Sequence, residues 1–556
     1  MWRPSERAET ADRIRDVLFL AVTSSFALAL VGLFYRPACL GAAAVIALIV
    51  YRSNRASQRG AITCVRDPIA HVLPVTATVA VTWPGIVRPL LEGDSLSYHL
   101  PSAAAWANAH SFWTSTTTYW WYPPGSELFA SALFLIGGPT VLGVAGFAAL
   151  LLLALRIEAF ARRAELPSWS AGAVAAAVVT VPIIGLQGAS LQNDVWLGAW
   201  TLECLWALTY DRAALSRSLA ICSIIKPVGF VYSVFFAVLG LRRAWRRTEP
   251  ARIARALLFV LAVSILLAIW VVHAALLWPN AIIPPVQTAY PHMASTLIIA
   301  HGLPGAATFM KALVAQGPGT VLLFASVIVA LFVGKSRERR QLPWIFAALF
   351  FIEPFGYDNG IPQLATGMSL RFLIPALVAG LAASLSRAKR WYALVGIAAA
   401  ALAILQIRSF IGIFWNDANT HGMLPAAIAV GALIGLRHKI PARAPAVIIA
   451  AIFAYGVHLD NNPVRYYDAL LGSNASPSRL YDWLARNQPK RLVASQVRSG
   501  TISVVLPQAF VANATDDPCI EAARLQAILV SSSVPRPSCG PRLFSDAYAA
   551  VYRIRP

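Results

Sequence analysis

The segment RAALSRSLAICSIIKPVGFVYSVFFAVLGLRRAWRR (residues 212–247) places a long apolar stretch between basic ends. Arg212 and Arg217 precede this stretch, and a cluster of arginines that begins at Arg242 follows it. Short loops rich in Lys and Arg stay in the cytoplasm, so both ends of the segment are predicted on the same side of a membrane. A single spanning helix cannot meet that condition. The segment therefore predicts a helical hairpin that turns at IKPVG and brings Lys226 toward the outer side.

The composition of the whole chain is that of a protein dissolved in lipid. Of its 556 residues, 58% are hydrophobic and 13% are charged. The 46 Lys and Arg residues outnumber the 25 Asp and Glu residues, which gives a formal net charge of +21. Such a charge suggests nucleic acid as a partner in a soluble protein, but here the basic residues lie between apolar runs and indicate membrane topology. The sequence therefore gives no reason to expect nucleic-acid binding.

Basic loops alternate with acidic loops along the chain. The basic clusters are Arg52/Arg55/Arg59/Arg66, Arg156/Arg162/Arg163, Arg242/Arg243/Arg246/Arg247, Lys335/Arg337/Arg339/Arg340, Arg387/Lys389/Arg390 and Arg437/Lys439/Arg443. The acids of the alternate loops are Glu92, Asp94, Glu127, Asp194, Asp358 and Asp417. This alternation predicts a cytoplasmic N-terminus and places the acids on the periplasmic side.

Apolar runs recur from residue 17 to residue 459. A helix needs about 20 apolar residues to cross the bilayer core, and the pattern predicts roughly 13–15 transmembrane helices. The first run lacks a small-residue cleavage site, so we interpret it as a span rather than a signal peptide. The expected fold class is an all-α polytopic membrane protein with a small C-terminal α/β domain. The expected domains are a transmembrane domain at 1–459, whose outer catalytic loop covers 89–127, and a periplasmic tail at 460–556.

The tail has a different pattern from the rest of the chain. SPSRLYDWLARN predicts a helix that begins near Ser476, because Ser is a favourable N-cap and Pro477 suits the first helical position. The pieces RLVASQV, TISVVL, QAILVSS and AAVYRI are expected to be strands. Cys519 and Cys539 both lie in this tail, and an exported tail would allow them to pair.

The first outer loop begins with EGDSLSYHLP (residues 92–101). Asp94 and Tyr98 are four residues apart, so on a short helix they share a face. His99 would lie on a different face and is a candidate substrate contact. The alternative is that Asp94 merely caps a helix and that the Trp and Tyr residues of the loop form an ordinary interfacial belt.

Five motifs extend this pattern through the chain: GDSLSYHLP, YPPGSELF, LQNDVWLGAW, IIKPVGF and GMSLRFLIPAL. Their order and predicted sidedness resemble the GT-C superfamily of membrane glycosyltransferases over about residues 69–385. Within that superfamily, the series is similar to the bacterial protein-mannosyltransferase-like and aminoarabinose-transferase-like enzymes, which use polyprenyl-phosphate sugars. The resemblance implies that Asp94 is the catalytic base. It also matches Asp194 and Arg371 to an acid and an arginine of the family. Tyr122 stands where relatives often have Lys before Pro-Pro, which weakens a phosphate-clamping role for this loop.

The residue types suit transfer from a lipid-phosphate sugar. A carboxylate can accept the proton of an attacking hydroxyl, and a phosphate leaving group needs positive charge around it. Lys226 and Arg371 are the outer-side cations in apolar surroundings, where ionisable groups are costly and usually functional. For Arg371 the alternative is snorkelling to lipid head groups. Asp194 is either a supporting or metal-binding carboxylate or a helix N-cap.

These patterns predict an inverting glycosyltransferase that transfers a sugar from a polyprenyl phosphate to a glycan, lipid or protein acceptor at the periplasmic face of the bacterial inner membrane. Asp94 is the expected catalytic residue, and the expected substrate-binding residues are Tyr98, His99, Tyr122, Asp194, Lys226 and Arg371. No cofactor is certain, and a divalent metal is left open. Two other classes are a transporter or lipid flippase, which would need two related halves, and a non-catalytic envelope assembly protein.

Overall fold

A computed structural model describes residues 10–60, 69–87, 90, 92, 94–114, 123–245, 272, 298–334, 337–352, 368–385, 391–414, 421–436, 451–452, 479–494, 501–503, 505–513, 518–531, 539–545 and 549–554. Several predictions fall outside these residues. They are the role of Tyr122, the outer-loop acids Asp358 and Asp417, the helix start near Ser476 and the domain boundary between residues 459 and 460.

The described residues before residue 437 are mainly helical. The helices are α1 (Thr10–Leu30), α2 (Arg36–Gly60), α3 (Ile69–Val87), α4 (Leu100–Ala109), α5 (Gly125–Gly137), α6 (Gly143–Arg163), α7 (Ser168–Val179), α8 (Pro182–Gly188), α9 (Asp194–Thr209), α10 (Leu215–Ser223), α11 (Pro227–Trp245), α12 (Gly302–Ala315), α13 (Pro318–Val333), α14 (Arg337–Ile352), α15 (Ile374–Ser384), α16 (Tyr392–Phe414) and α17 (Met423–Leu436). A π-helical turn, Ser95–His99, precedes α4, and a 3₁₀ turn, Met368–Leu373, precedes α15.

The described helices include spans of membrane length. Pro139–Arg163 and Tyr392–Ile411 are long and apolar enough to cross a bilayer. Helices α7 and α8 pass the same test together but are bent by 80°. Pro182 begins α8, and a proline cannot continue the hydrogen bonding of the preceding helix, so the bend has a local cause. Five further apolar helices are shorter. The predicted total of roughly 13–15 spans is therefore shown only in part.

The buried centre of the helical body is formed around α9. Every residue from Asp194 to Leu208 in this helix is buried, including three tryptophans. By contrast, α2 and α16 expose large apolar side chains, such as Val45 at 56% and Ile404 at 69%. Apolar faces of this kind suit contact with lipid rather than with water.

A buried ionic cluster joins the first turns of α1 to the last turns of α6 and to α9. Arg156 Nε donates to Glu203 Oε1 at 2.6 Å, and Arg156 Nη2 donates to Asp12 Oδ1 at 2.6 Å. Arg15 Nη1 donates to the same Asp12 oxygen at 3.1 Å. The sequence placed Arg156 in a basic loop. It lies inside α6 instead, because these carboxylates compensate its charge within the helical body.

Helices α10 and α11 form the predicted hairpin. Their antiparallel contact includes a hydrogen bond from Ser233 Oγ to Leu219 O at 3.2 Å. At the open end, Arg217 lies 3.6 Å from Asp16 of α1, and Arg243 donates to Leu208 O at 2.7 Å. Both ends of the hairpin therefore lie near the ionic cluster, whereas the tip at Lys226 lies beside the start of α9. The antiparallel helix pair predicted from the flanking charges is confirmed, whereas its two membrane passes and the outer-side position of Lys226 stay predictions.

The C-terminal part is a small α/β unit, as predicted. It contains α18 (Arg479–Asn487), β1 (Arg491–Ala494), β2 (Phe510–Asn513), α19 (Pro518–Arg524), β3 (Ile528–Ser531), β4 (Arg542–Ser545) and β5 (Ala550–Arg553). The sheet order is β2-β1-β3-β5-β4, in which β1 pairs parallel with β2 and β3, and β5 pairs antiparallel with β3 and β4. Cys519 and Cys539 form the predicted disulfide, with their Cα atoms 5.5 Å apart.

One predicted strand of this unit is wrong. Residues 501–503 and 505, within TISVVL, are helical. Because β1 and β2 are parallel neighbours, the chain between them must cross over one face of the sheet, and a helix is the usual crossover. Two strands, β2 and β4, were not predicted.

The C-terminal unit packs against α4. Asn108 Nδ2 donates to Ala509 O at 2.9 Å, one residue before β2. Buried Leu100 and Ala103 of α4 belong to the same continuous apolar cluster as Leu506 and Val511 of the C-terminal unit. The sheet is thus held directly on the helix that follows the Asp94 turn.

Candidate active site

The turn that presents Asp94 is capped by Glu92. The Glu92 carboxylate accepts hydrogen bonds from Asp94 N at 2.8 Å, from Ser95 N at 2.7 Å and from Ser95 Oγ at 2.8 Å. Asp94 stands at the N-cap position of the π-helical turn, but its side chain makes no capping hydrogen bond. The alternative in which Asp94 merely caps a helix is therefore wrong. Glu92 does the capping and leaves the Asp94 carboxylate for other contacts.

Arg371 bridges two acids. Its Nη2 donates to Asp94 Oδ2, and its Nε lies 3.3 Å from Asp194 Oδ2. The Arg371 side chain is 12% exposed, whereas that of Asp94 is 29% exposed. Arg371 lies in the 3₁₀ turn before α15 and is directed into the protein. The snorkelling alternative is therefore wrong, and Asp94 is the accessible member of the pair.

Lys226 pairs with the other oxygen of Asp194. Lys226 Nζ donates to Asp194 Oδ1 at 2.7 Å, and both side chains are buried. The ammonium also lies 3.9 Å from the ring centroid of Phe372. Asn193, rather than Asp194, is the N-cap residue of α9. Asp194 is therefore not the N-cap that the sequence allowed, and both of its oxygens face cations.

His99 lies in a second polar group at the same end. Its Nδ1 is 2.7 Å from Glu127 Oε1, and both residues are buried. Asn193 Nδ2 donates to the same Glu127 oxygen at 3.3 Å. The half-buried Tyr98 ring packs on the His99 ring, with centroids 4.1 Å apart.

The segment that follows Tyr122 is docked on the hairpin tip. Gly125 N donates to Ile224 O at 2.7 Å. A Cβ atom at Gly125 would lie 2.8 Å from that carbonyl oxygen, so the close backbone approach requires glycine. This contact brings residues 123–127 against the hairpin that positions Lys226.

Four of the seven predicted site residues form one cluster. Asp94, Asp194, Lys226 and Arg371 are linked by direct ion pairs, although they come from four separate segments. Glu127 and Asn193 were missed as site residues. Glu127 could have been predicted from its position as an acid in an outer, otherwise apolar segment. For Asn193 the sequence offered only its position next to Asp194.

The donor set of this cluster does not fit a divalent cation. Among the described residues, no group of three or more His, Cys, Asp and Glu side chains is placed to hold a metal ion. Asp94 faces a guanidinium, and Asp194 faces both a guanidinium and an ammonium. A metal ion would have to displace these cations, and we assign it no role.

Apolar helices, a helical loop after α3 and a small C-terminal α/β unit together make up the fold of the described residues. Crystal structures of ArnT from Cupriavidus metallidurans share this fold. The structure bound to undecaprenyl phosphate has 16% sequence identity and a TM-score of 0.50 to this chain. The apo structure has 15% identity and a TM-score of 0.50. Each comparison covers 86% of this chain and 97% of the ArnT chain.

The sequence by itself gives no comparable match. No protein-family model matches the chain, and no curated protein matches it. At these identities the similarity to ArnT establishes the fold alone. The reaction that this protein catalyses is therefore inferred from the charged cluster.

Proposed function

We propose that this protein is an inverting glycosyltransferase that moves a sugar from a polyprenyl-phosphate donor to an acceptor at the periplasmic face of the bacterial inner membrane. The supporting observation is the cluster of Asp94, Asp194, Lys226 and Arg371 at one end of the helical body. It occurs in a fold shared with a protein crystallised with undecaprenyl phosphate.

Asp94 is the general base in this proposal. Its carboxylate accepts the proton of an acceptor hydroxyl as the oxygen attacks the anomeric carbon. The bond between that carbon and the phosphate oxygen breaks, and polyprenyl phosphate leaves. Proton transfer of this kind contributes about 10²–10⁴-fold to a rate. Asp94 suits this role because its side chain is 29% exposed, the highest exposure among the four charged residues.

Lys226 and Arg371 stabilise the donor phosphate. A guanidinium has five N–H donors and an ammonium has three, so each can bind a carboxylate and a phosphate oxygen at once. A carboxylate held by an arginine is a poor base. In the proposed sequence, Arg371 turns from Asp94 to the phosphate when the donor binds, which leaves the Asp94 carboxylate available for the acceptor proton.

The positions of the basic clusters support a periplasmic site. The hairpin tip with Lys226 and the Asp94 turn lie together, while both hairpin ends lie near Arg15 and Arg156. If the arginine-rich end is cytoplasmic, the cluster is on the outer side. Within the described part of the chain, no observation favours a transporter or a lipid flippase, and we propose no second function.

The test uses purified Asp94→Asn. Loss of the general base should reduce transfer by about 10²–10⁴-fold, while undecaprenyl phosphate binding persists. Asp16→Asn is the matched control, since Asp16 also pairs with arginines, at 2.9 Å from Arg15 and 3.6 Å from Arg217, but at the other end of the body. We expect near-normal transfer from this control. Near-normal turnover by Asp94→Asn would remove the mechanism, and an unchanged cellular phenotype would favour the non-catalytic assembly protein.

The class of reaction can be tested in cells. Lipid and glycan mass spectrometry on a deletion strain should show a missing sugar together with accumulated polyprenyl-phosphate sugar. Complementation with the wild-type gene should reverse both changes. Unaltered lipid and glycan profiles would contradict a transferase.

A further inference from the structure

The Glu127 carboxylate is a contact point for three segments of the chain. His99 Nδ1 lies 2.7 Å from Glu127 Oε1, and Asn193 Nδ2 donates to the same oxygen at 3.3 Å. Ser126 Oγ donates to Glu127 Oε2 at 2.8 Å. The Asn193 amide also donates to Ile225 O, at 3.4 Å, at the hairpin tip. Glu127 thus touches the π-helical turn directly, the start of α9 directly, and the hairpin through Asn193.

Each of these segments contains one charged residue of the proposed active site. His99 ends the turn that begins after Asp94, Asn193 immediately precedes Asp194, and Ile225 immediately precedes Lys226. The contacts are buried, with Glu127 7% exposed and His99 1% exposed. An ionised carboxylate is an acceptor only, with about four lone-pair sites, and its three neighbours here can all donate. The arrangement therefore holds the three segments in one relative position.

We propose that Glu127 is a positioning residue that sets the mutual placement of Asp94, Asp194 and Lys226 through His99 and Asn193. The proposal rests on the proposed glycosyltransfer, because it assigns the three charged residues to the reacting centre. A misplacement of about 1 Å in such a centre costs on the order of 10²-fold in rate. Glu127 itself does not need to touch the substrate for this effect.

The chain provides a matched control for this residue. Glu158 is a second buried glutamate, 0% exposed, whose Oε2 lies 2.6 Å from His71 Nδ1. It lies in α6 beside Arg162, outside the proposed active site. Glu158→Gln therefore measures what a buried glutamate–histidine contact contributes to stability, without any effect on the placement of Asp94 or Lys226.

The experiment compares Glu127→Gln with Glu158→Gln in the full-length purified protein. The amide keeps the size of the side chain but lacks the charge, and its single oxygen can still accept from His99 and Asn193. Glu127→Ala removes both oxygens and is measured beside it, with larger effects expected in the same direction. We expect Glu127→Gln to lower kcat by about 10–100-fold, while the Kd for undecaprenyl phosphate stays within about threefold. Glu158→Gln should keep kcat within about twofold, even if both variants lose a similar amount of thermal stability.

Hydrogen–deuterium exchange supplies a readout that needs no transfer activity. Glu127→Gln should speed exchange in peptides covering 94–99, 193–197 and 224–227, and Glu158→Gln should leave all three unchanged. If wild-type protein transfers no sugar, the proposed function fails while the exchange result still tests the positioning role. Should Glu127→Gln not fold, Asn193→Ala removes the link to Ile225 and should speed exchange at 224–227. Unchanged exchange in these peptides, or an equal loss of kcat in the two glutamine variants, would overturn the proposal.

Discussion

Lys226 is held by two different interactions at the tip of the hairpin. Its ammonium donates to Asp194 at 2.7 Å and lies 3.9 Å from the centroid of the Phe372 ring, with the side chain 9% exposed. A cation this buried is retained at a cost, and a phosphate ligand would use its remaining donors. Because an arginine keeps the charge but not the compact geometry, it should replace Lys226 only in part.

We therefore expect Lys226→Ala to weaken undecaprenyl phosphate binding by about 10–100-fold, which corresponds to the 1.5–3 kcal/mol of a hydrogen bond to a charged group. Lys226→Arg should recover part of this loss. Titration of both purified variants with undecaprenyl phosphate measures the effect. An unchanged affinity in Lys226→Ala, or access to residue 226 from the cytoplasm alone, would contradict the assignment.

Glu92 caps the turn, whereas Asp94 is the proposed general base. Its carboxylate organises the turn by accepting from Asp94 N and Ser95 N, so its replacement should disturb the base indirectly. A lost cap costs about 1 kcal/mol, which is roughly fivefold in a rate. We expect Glu92→Gln to reduce transfer by about fivefold, far less than Asp94→Asn. A parallel transfer assay on the two variants compares them, and equal losses would show that Glu92 acts at the reacting centre.

The sequence predicted the charged residues of the site better than their neutral or supporting partners. Asp94, Asp194 and Arg371 were identified through the family resemblance, and Lys226 and Arg371 also because ionisable groups are rare and costly in apolar surroundings. The capping role of Glu92 was not predicted, because the sequence identifies it only as an acid of the outer loop, whereas the turn it caps begins after Asp94. The role of Glu127 depends on partners at residues 99 and 193, and no local pattern reports such distant contacts.

At the level of elements, one close backbone contact fixes the segment that contains Gly125 to the hairpin. Gly125→Ala would place a methyl group 2.8 Å from the Ile224 carbonyl oxygen, and the backbone there has to move to accept it. We expect a loss of about 1–3 kcal/mol in the free energy of unfolding, by analogy with overpacking, together with reduced transfer as Lys226 moves.

Gly41→Ala in α2 is the control for this prediction. No atom lies within 4 Å of a Cβ placed at Gly41, and alanine is the better helix former, so stability should stay the same or rise by up to about 1 kcal/mol. Thermal unfolding and transfer assays on both variants distinguish the two cases. Equal stability of Gly125→Ala and the wild type would show that the contact is not close in solution.

The predictions of secondary-structure elements were correct where charged residues or prolines determined the local structure. Basic residues at both ends required α10 and α11 to form a hairpin, because no single span satisfies that condition. TISVVL failed because its β-branched residues suit a strand locally, while the parallel pairing of β1 and β2 requires a crossover at that point. Tertiary topology, rather than local preference, decided that segment.

Across the whole molecule, the two charged clusters lie at different levels along α9. The ionic cluster of Arg15, Arg156 and Glu203 joins the first turns of α1 to the later parts of α6 and α9. Asp194, by contrast, is the first residue of α9. The C-terminal sheet packs on α4 and so lies at the same end as Asp94. The N-terminal turn and the C-terminal unit should therefore lie on different sides of the membrane.

From this arrangement we predict that the N-terminus is cytoplasmic and that residues 460–556 are exported. A periplasm-dependent reporter fused after Pro556 should be active, and one that works only in the cytoplasm should be silent. The Cys519–Cys539 disulfide gives an independent check, since disulfides persist in oxidising compartments and are rare in the cytoplasm. In native, unreduced protein both thiols should resist labelling. Labelling of both cysteines, or activity of the cytoplasmic reporter alone, would place the C-terminal unit in the cytoplasm and the proposed active site with it, because α4 connects the two.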